Sequence, residues 1–205
     1  MSTPAFADLV ADEPLTITSA RARATEVGCP AIAPAVGASL AALAAAVKAR
    51  AVVEIGTGAG VSTLWLLAGM RPDGVLTSVD TDGEHQRATR AALTDADIPT
   101  PRARLINGSA TDVLPRLADG GYDLAFCDAS PGEYPDYLHH LRRVLRTGGI
   151  LAWHGVLARG RIAEQSARDP DTVAWRDLLS ALRAEKSVRT AVLPVGDGLL
   201  IAVPT

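Results

Sequence analysis

One stretch constrains this chain more than any other: AVVEIGTGAG, residues 51–60, running directly into VSTLWLLAG. Val52, Val53 and Ile55 form a short β-branched run of the kind a strand buried on both faces requires. Gly56, Gly58 and Gly60 follow at alternate positions. A turn without Cβ atoms lets a ligand come close to the backbone. The helix that starts near Gly60 presents free N–H groups in its first turn. Strand, glycine turn and helix together read as a nucleotide-type binding element at the head of an α/β fold.

The spacing of the glycines bears on which nucleotide. A dinucleotide fingerprint is G-x-G-x-x-G with an acid about 20 residues on. Here the third glycine comes one residue early, Val61 follows it, and Glu54 stands before the first glycine. This E-x-G-x-G-x-G arrangement resembles motif I of the S-adenosylmethionine (SAM)-dependent class I methyltransferases. Asp80 ends the next predicted strand, GVLTSVD. An acid at that place accepts hydrogen bonds from both ribose hydroxyls. It would do so for NAD as well as for SAM, so Asp80 supports a nucleoside without choosing between them.

The remainder of the chain supplies the layers such an element needs. Its 205 residues, 48% of them hydrophobic, suit one α/β domain with a full core. The expected division is a helical cap over 1–50 and a Rossmann-like core over 51–205. From residue 51 strands and helices alternate, which argues for a parallel sheet. The strands are expected near 51–55, 75–80, RARLIN, YDLAFCD and ILAWH, with helices near 60–69, 83–96, GSATDVLPRLA and 134–146. A helix over 169–186, capped by Asp169 or Asp171, precedes two β-rich runs around Gly196-Asp197-Gly198, a hairpin signal. Before the first strand, LTITSARARATEVG predicts an exposed helix, and Val36, Leu40, Leu43 and Val47 mark the apolar stripe of another.

Charge and cysteine usage exclude other classes. The net charge is −3 with no run of about five like charges, so there is no electrostatic footprint for nucleic acid. Cys29 and Cys127 lie far apart, which fits a reducing, cytoplasmic setting rather than a disulfide framework. Neither a signal peptide nor an apolar stretch of membrane-spanning length is read from the sequence.

The matching segments extend over nearly the whole chain: PAVGASL, VVEIGTGAGVSTLWLL, VLTSVD, NGSATDVLPRL, YDLAFCDA, RTGGIL, GRI and VLPVGDGLLIAV. In these the chain resembles the catechol and caffeoyl-CoA O-methyltransferase group, in particular its small bacterial members. The resemblance implies a three-layer, seven-stranded, mostly parallel sheet with an antiparallel last strand, a homodimer, and a SAM-dependent O-methyltransferase acting on a small, phenolic or catechol-like acceptor. It implies that Glu54, Gly56 and Gly58 line the methionine and ribose side of the cofactor, with Val36 and Gly37 bordering the same pocket. Ser62 would take the cofactor carboxylate, Asp80 the ribose, Ser109 and Ala110 the adenine, and Asp128 would stand beside the sulfonium.

The catalytic positions depart from that group. Its members use a divalent metal, held by an Asp ending strand four and an Asp-Asn pair ending strand five, with a lysine three residues after the first Asp. Here the first ligand is present as Asp128, but His154 and Gly155 stand at the pair and Pro131 at the lysine. The expectation is a metal-independent site with His154 as general base, since an imidazole takes a proton near neutral pH. Two alternatives stand beside it: a metal held by Asp128 and His154, or a SAM-binding homologue that acts through dimer or partner contacts without turnover. His85, His139 and His140 are read as solvated, and Cys127 as core.

Overall fold

The structure is a computed structural model and describes residues 2–205. Three helices come first: α1 (Thr3–Val10), α2 (Leu15–Glu26) and α3 (Pro34–Ala46). The alternating region then runs β1 (Ala51–Ile55), α4 (Val61–Gly69), β2 (Val75–Asp80), α5 (Gly83–Asp95), β3 (Ala103–Asn107), α6 (Ala110–Val113), β4 (Tyr122–Cys127), α7 (Tyr134–Val144) and β5 (Leu145–His154). It closes with α8 (Pro170–Ala184) and the hairpin β6 (Val188–Leu193) and β7 (Leu199–Pro204).

The seven strands lie in the order β3-β2-β1-β4-β5-β7-β6. All neighbours from β3 to β5 pair parallel, and β7 pairs antiparallel with both β5 and β6. The expected Rossmann-like topology is therefore the observed one. Strand order reverses between β1 and β4, and a crevice opens there at the carboxyl ends of the strands. Gly56 follows β1 and Asp128 follows β4, so both stand at that crevice by construction.

Alternation along each strand sends side chains to two separate layers. On one face Val52, Leu76, Leu124, Phe126 and Ile150 pack with α3 and α4. On the other, Val53, Ile55, Ala125, Leu151 and Trp153 pack with α7 and α8. The helix predicted to be exposed, α2, joins the first layer, because Ile17 and Ala20 turn inward and are buried. Leu43 and Val47, expected on the stripe of α3, are half-buried, whereas Val36 and Leu40 are wholly buried.

A second departure lies at the start of β5. The predicted helix over 134–146 stops at Val144, and Leu145 already begins the strand. The Asp123 carboxylate accounts for this. It accepts from the Arg50 and Ala51 backbone N–H groups at 2.7 and 3.0 Å and from Arg146 Nε at 2.6 Å. Arg146 is thereby drawn to the sheet, and the β4–β5 register shifts between Tyr122 and Leu124 to admit it.

Candidate active site

The crevice begins at the glycine turn. Gly56 has φ +88°, and a Cβ built on it would lie 2.2 Å from the Asp128 carbonyl oxygen. No side chain fits where β1 and β4 separate. Gly60 is the N-cap of α4, with φ 89° and no side-chain capping bond, so the first N–H groups of α4 stay free toward the crevice.

Asp80 fixes the turn from the next strand. Its Oδ2 accepts from Gly58 N–H at 2.9 Å and its Oδ1 from Asp82 N–H at 2.8 Å. Each oxygen keeps a lone pair for a ligand. The resulting cleft has a volume of about 310 Å³ and is lined by Gly56, Gly58, Ser62, Asp80, Ala110 and Asp128 among others. Six sequence-predicted residues are thus brought together on one wall system.

Three others are not. Val36 is wholly buried in the α3 layer and does not line the cleft; its neighbour Gly37 abuts the Trp65 ring. Ser109 caps α6 through Thr111 N–H at 3.2 Å, and the cleft is lined by its neighbours Gly108 and Ala110 instead. Glu54 lies behind the turn rather than in it, fully buried. Its Oε2 accepts from Thr63 Oγ1 and Ser78 Oγ, each at 2.6 Å, while Oε1 has no partner. Burial, only partly offset by the hydroxyls of Ser62, Ser78 and Thr63, raises its carboxyl to about 7.

The cleft also gathers residues to which the sequence reading assigns no cofactor role. His85, read as solvated, lines the cleft with its Nδ1 3.4 Å from Asp80 Oδ2. Its place on the first turn of a helix directly after the strand-end acid was the available signal. Cys29 and Tyr137 line it too, from the α2–α3 loop and from α7.

Asp128 has a second side. Beyond it lies another cavity of about 380 Å³, which Asp128, His154, Pro131, Tyr134, Trp175 and Asp197 help to line. Asp128 is therefore a partition shared by two cavities. His154 Nδ1 lies 3.0 Å from Asp128 Oδ1. Burial opposes charge on the imidazole, but the Asp128 hydrogen bond and charge, with Asp197 beyond, outweigh it, and the His154 pKa is raised above 6.5. Ser130, not Asp128, stands before the short helical turn at Pro131–Glu133, so Asp128 is not spent on a cap.

Two packed aromatic rings form the floor of this second cavity. Tyr134 and Trp175 meet edge to face with centroids 4.8 Å apart, and Tyr134 Oη donates to the Ala129 carbonyl at 2.6 Å. One wall is pinned by Asp197. Its Oδ1 accepts from Arg159 N–H at 2.7 Å, and its carbonyl accepts from Leu157 N–H at 2.9 Å. The hairpin signal at 196–198 foretold the turn but not that its acid would come back beside His154.

Asp128 and His154 do not make up a metal site with their neighbours. Among the described residues no group of three His, Cys, Asp or Glu side chains converges on one point, and these two are engaged with each other. Gly155 and Pro131, at the positions where the related group has ligand and lysine, add no donor.

This geometry has relatives. The O-methyltransferase family profile matches residues 14–204. A Mycobacteroides abscessus protein named as an O-methyltransferase is 48% identical over 186 residues, covering 91% of this chain and 86% of that protein. A Corynebacterium glutamicum crystal structure superposes with a TM-score of 0.88 at 31% identity, over 95% of this chain and 91% of that one. An O-methyltransferase from Bacillus cereus, solved in complex with S-adenosylhomocysteine (SAH), superposes with a TM-score of 0.86 at 25% identity, over 94% of this chain and 92% of that one. By the extent of the profile and the identity of its relatives, the chain belongs to the O-methyltransferase family.

Proposed function

We propose that this chain transfers a methyl group from SAM to a hydroxyl of a small phenolic acceptor, with the cofactor in the glycine-turn cleft and the acceptor in the cavity beyond Asp128. The observation that carries the reading is the shared partition: Asp128 borders both cavities and holds His154 on the acceptor side. The residues present suit the cofactor. The glycine turn leaves the backbone open, Asp80 offers two free lone pairs, and Ser62 stands at the uncapped start of α4. Bound there, SAM supplies an electrophilic methyl group on a sulfonium.

The work of this chain is then positioning and proton handling. Asp128 fixes the His154 ring through Nδ1, which leaves Nε2 to take the acceptor hydroxyl proton. The resulting imidazolium is stabilised by Asp128 and Asp197. Tyr134, Trp175 and Pro131 form an apolar wall against which a ring can lie, which holds the hydroxyl at attacking distance and limits water. A paired acid and base facing the acceptor cavity favour turnover over binding alone. No step is routed through a metal, because the donor set does not assemble one.

Phe6, Leu9, Val10 and Leu15 are large exposed apolar residues on α1 and α2, and they support a homodimer through these helices. Sedimentation of the purified chain at the monomer mass would refute that part. The activity is tested by methyl transfer from labelled SAM to catechols and simple phenols, with Mg²⁺ and with EDTA. Transfer indifferent to EDTA is expected; transfer abolished by EDTA would overturn the His154 mechanism.

A further inference from the structure

The segment that follows β5 brings a charge to the acceptor cavity that the mechanism above does not use. Gly155, Ala158, Arg159 and Arg161 all line that cavity. Ala158 and Arg159 both have positive φ, 48° and 54°, and Gly160 follows at 85°. Two successive non-glycine residues in the left-handed region cost free energy and persist only where their surroundings hold them. Here the hairpin turn holds them. Gly155 N–H donates to the Gly198 carbonyl and Leu157 N–H to the Asp197 carbonyl, each at 2.9 Å. The Asp197 carboxylate takes the Arg159 N–H at 2.7 Å, and Gly160 N–H closes the turn on the Leu157 carbonyl at 2.8 Å.

The charged side chains around this segment differ in what they are free to do. Arg161 is committed to Asp169, with Nε at 2.9 Å and a second nitrogen at 2.7 Å from the same oxygen. Asp169 also caps α8, and Asp128 is paired with His154. Asp197 gives a carboxylate oxygen to the Arg159 backbone. Asp171 stands exposed in the first turn of α8, where the positive end of the helix offsets its charge. The Arg159 guanidinium is exposed and forms no ion pair among the described residues. A planar fork of N–H donors on an anchored backbone, left without an acid, matches a carboxylate.

We propose that Arg159 is a specificity-determining residue for the acceptor: it receives a carboxylate borne by the phenolic ring, so that the preferred acceptors are hydroxylated aromatic acids rather than neutral phenols. This rests on the acceptor cavity proposed above. Asp197 ties the two ends of that cavity together. It stands beside His154 and it pins the Arg159 backbone, so the stem of the arginine is anchored relative to the base. The cavity, about 380 Å³, lies near the lower end of the range for ligand pockets, which favours a single ring with a small anionic group over a long charged tail.

Initial rates of methyl transfer from SAM to protocatechuate, a catechol with a ring carboxylate, and to its uncharged amide read the preference. The ratio of kcat/KM for the acid over the amide is expected to fall about tenfold from wild type to Arg159→Gln, through KM, as for one charge-assisted pair. Comparing the ratio between the two proteins cancels the intrinsic reactivity of each acceptor. In wild type alone, KM for the acid is expected to rise between about 50 and about 500 mM salt while that for the amide stays level. An equal ratio in wild type and Arg159→Gln, or KM values equally insensitive to salt for both acceptors, overturns the proposal. So does a preference for dopamine, which carries an ammonium group instead and would assign the cavity to Asp171. Those outcomes leave the acceptor reading intact, because methyl transfer still occurs. Absence of transfer to all three catechols, with SAH bound, overturns that reading and this proposal together.

Discussion

Glu54 makes a prediction about stability that needs no ligand. Its carboxyl is raised from 4.5 to about 7, chiefly by burial. In the unfolded chain it ionises first, so between those values the unfolded state holds fewer protons than the folded one. Unfolding free energy must then fall as pH rises through that window. At about 1.4 kcal/mol per pH unit the full penalty above pH 7 is about 3 kcal/mol. For a chain of this size that is about 6–12 °C in Tm. Glu54→Gln removes the ionisation but keeps the shape and an acceptor for Thr63 and Ser78. Urea unfolding of both proteins at about pH 5 and about pH 8 reads the effect. The wild type is expected to lose about 3 kcal/mol more than the variant across that interval. His154, whose pKa is also raised, loses stability in the same direction, but it does so in both proteins and cancels in the comparison. Parallel pH dependences in the two proteins would refute the reasoning that Glu54 is buried without a compensating cation.

Further outcomes follow from single contacts. Gly56→Ala places a Cβ 2.2 Å from the Asp128 carbonyl at φ +88°, and is expected to cost about 2–4 kcal/mol in urea unfolding and to weaken SAH binding by more than tenfold. Asp169→Ala removes the cap of α8, where Asp169 Oδ1 accepts from Thr172 N–H at 3.0 Å; a loss of about 1 kcal/mol is expected, with SAH affinity unchanged. Methyl transfer is expected to rise with pH through a midpoint above 6.5, because His154 must be neutral to act and its pKa is raised. Asp128→Asn removes that raising charge, so the limb in kcat/KM moves to lower pH as the rate falls; a limb that stays in place would contradict the pairing.

What the sequence revealed and what it hid divide along a physical line. Glycine spacing, β-branched runs and strand-end acids are local properties, and they located β1, the turn, Asp80 and Asp128 directly. The Gly196-Asp197-Gly198 turn likewise announced the hairpin. Less legible were side-chain directions set by tertiary contacts. Val36 and Glu54 sit in the right elements but face the layer behind the cleft, and Ser109 turns to cap α6. Where β5 begins depended on Asp123 pulling Arg146 from α7, a contact across 23 residues. The pairing of His154 with Asp128 spans 26 residues and was legible only as two strand ends that a parallel sheet brings side by side. His85 was read as solvated and Asp197 only as part of a turn, whereas the fold brings them back against Asp80 and His154.

The central claim is that His154, held by Asp128, is the base of the methyl transfer. It is tested most directly by comparing wild type and His154→Ala in turnover with labelled SAM and in SAH affinity. The account predicts a loss of about 10²–10⁴-fold in kcat, the usual worth of a general base, with SAH affinity within about twofold. Turnover in the variant equal to wild type, or an equal loss of SAH binding, would contradict it.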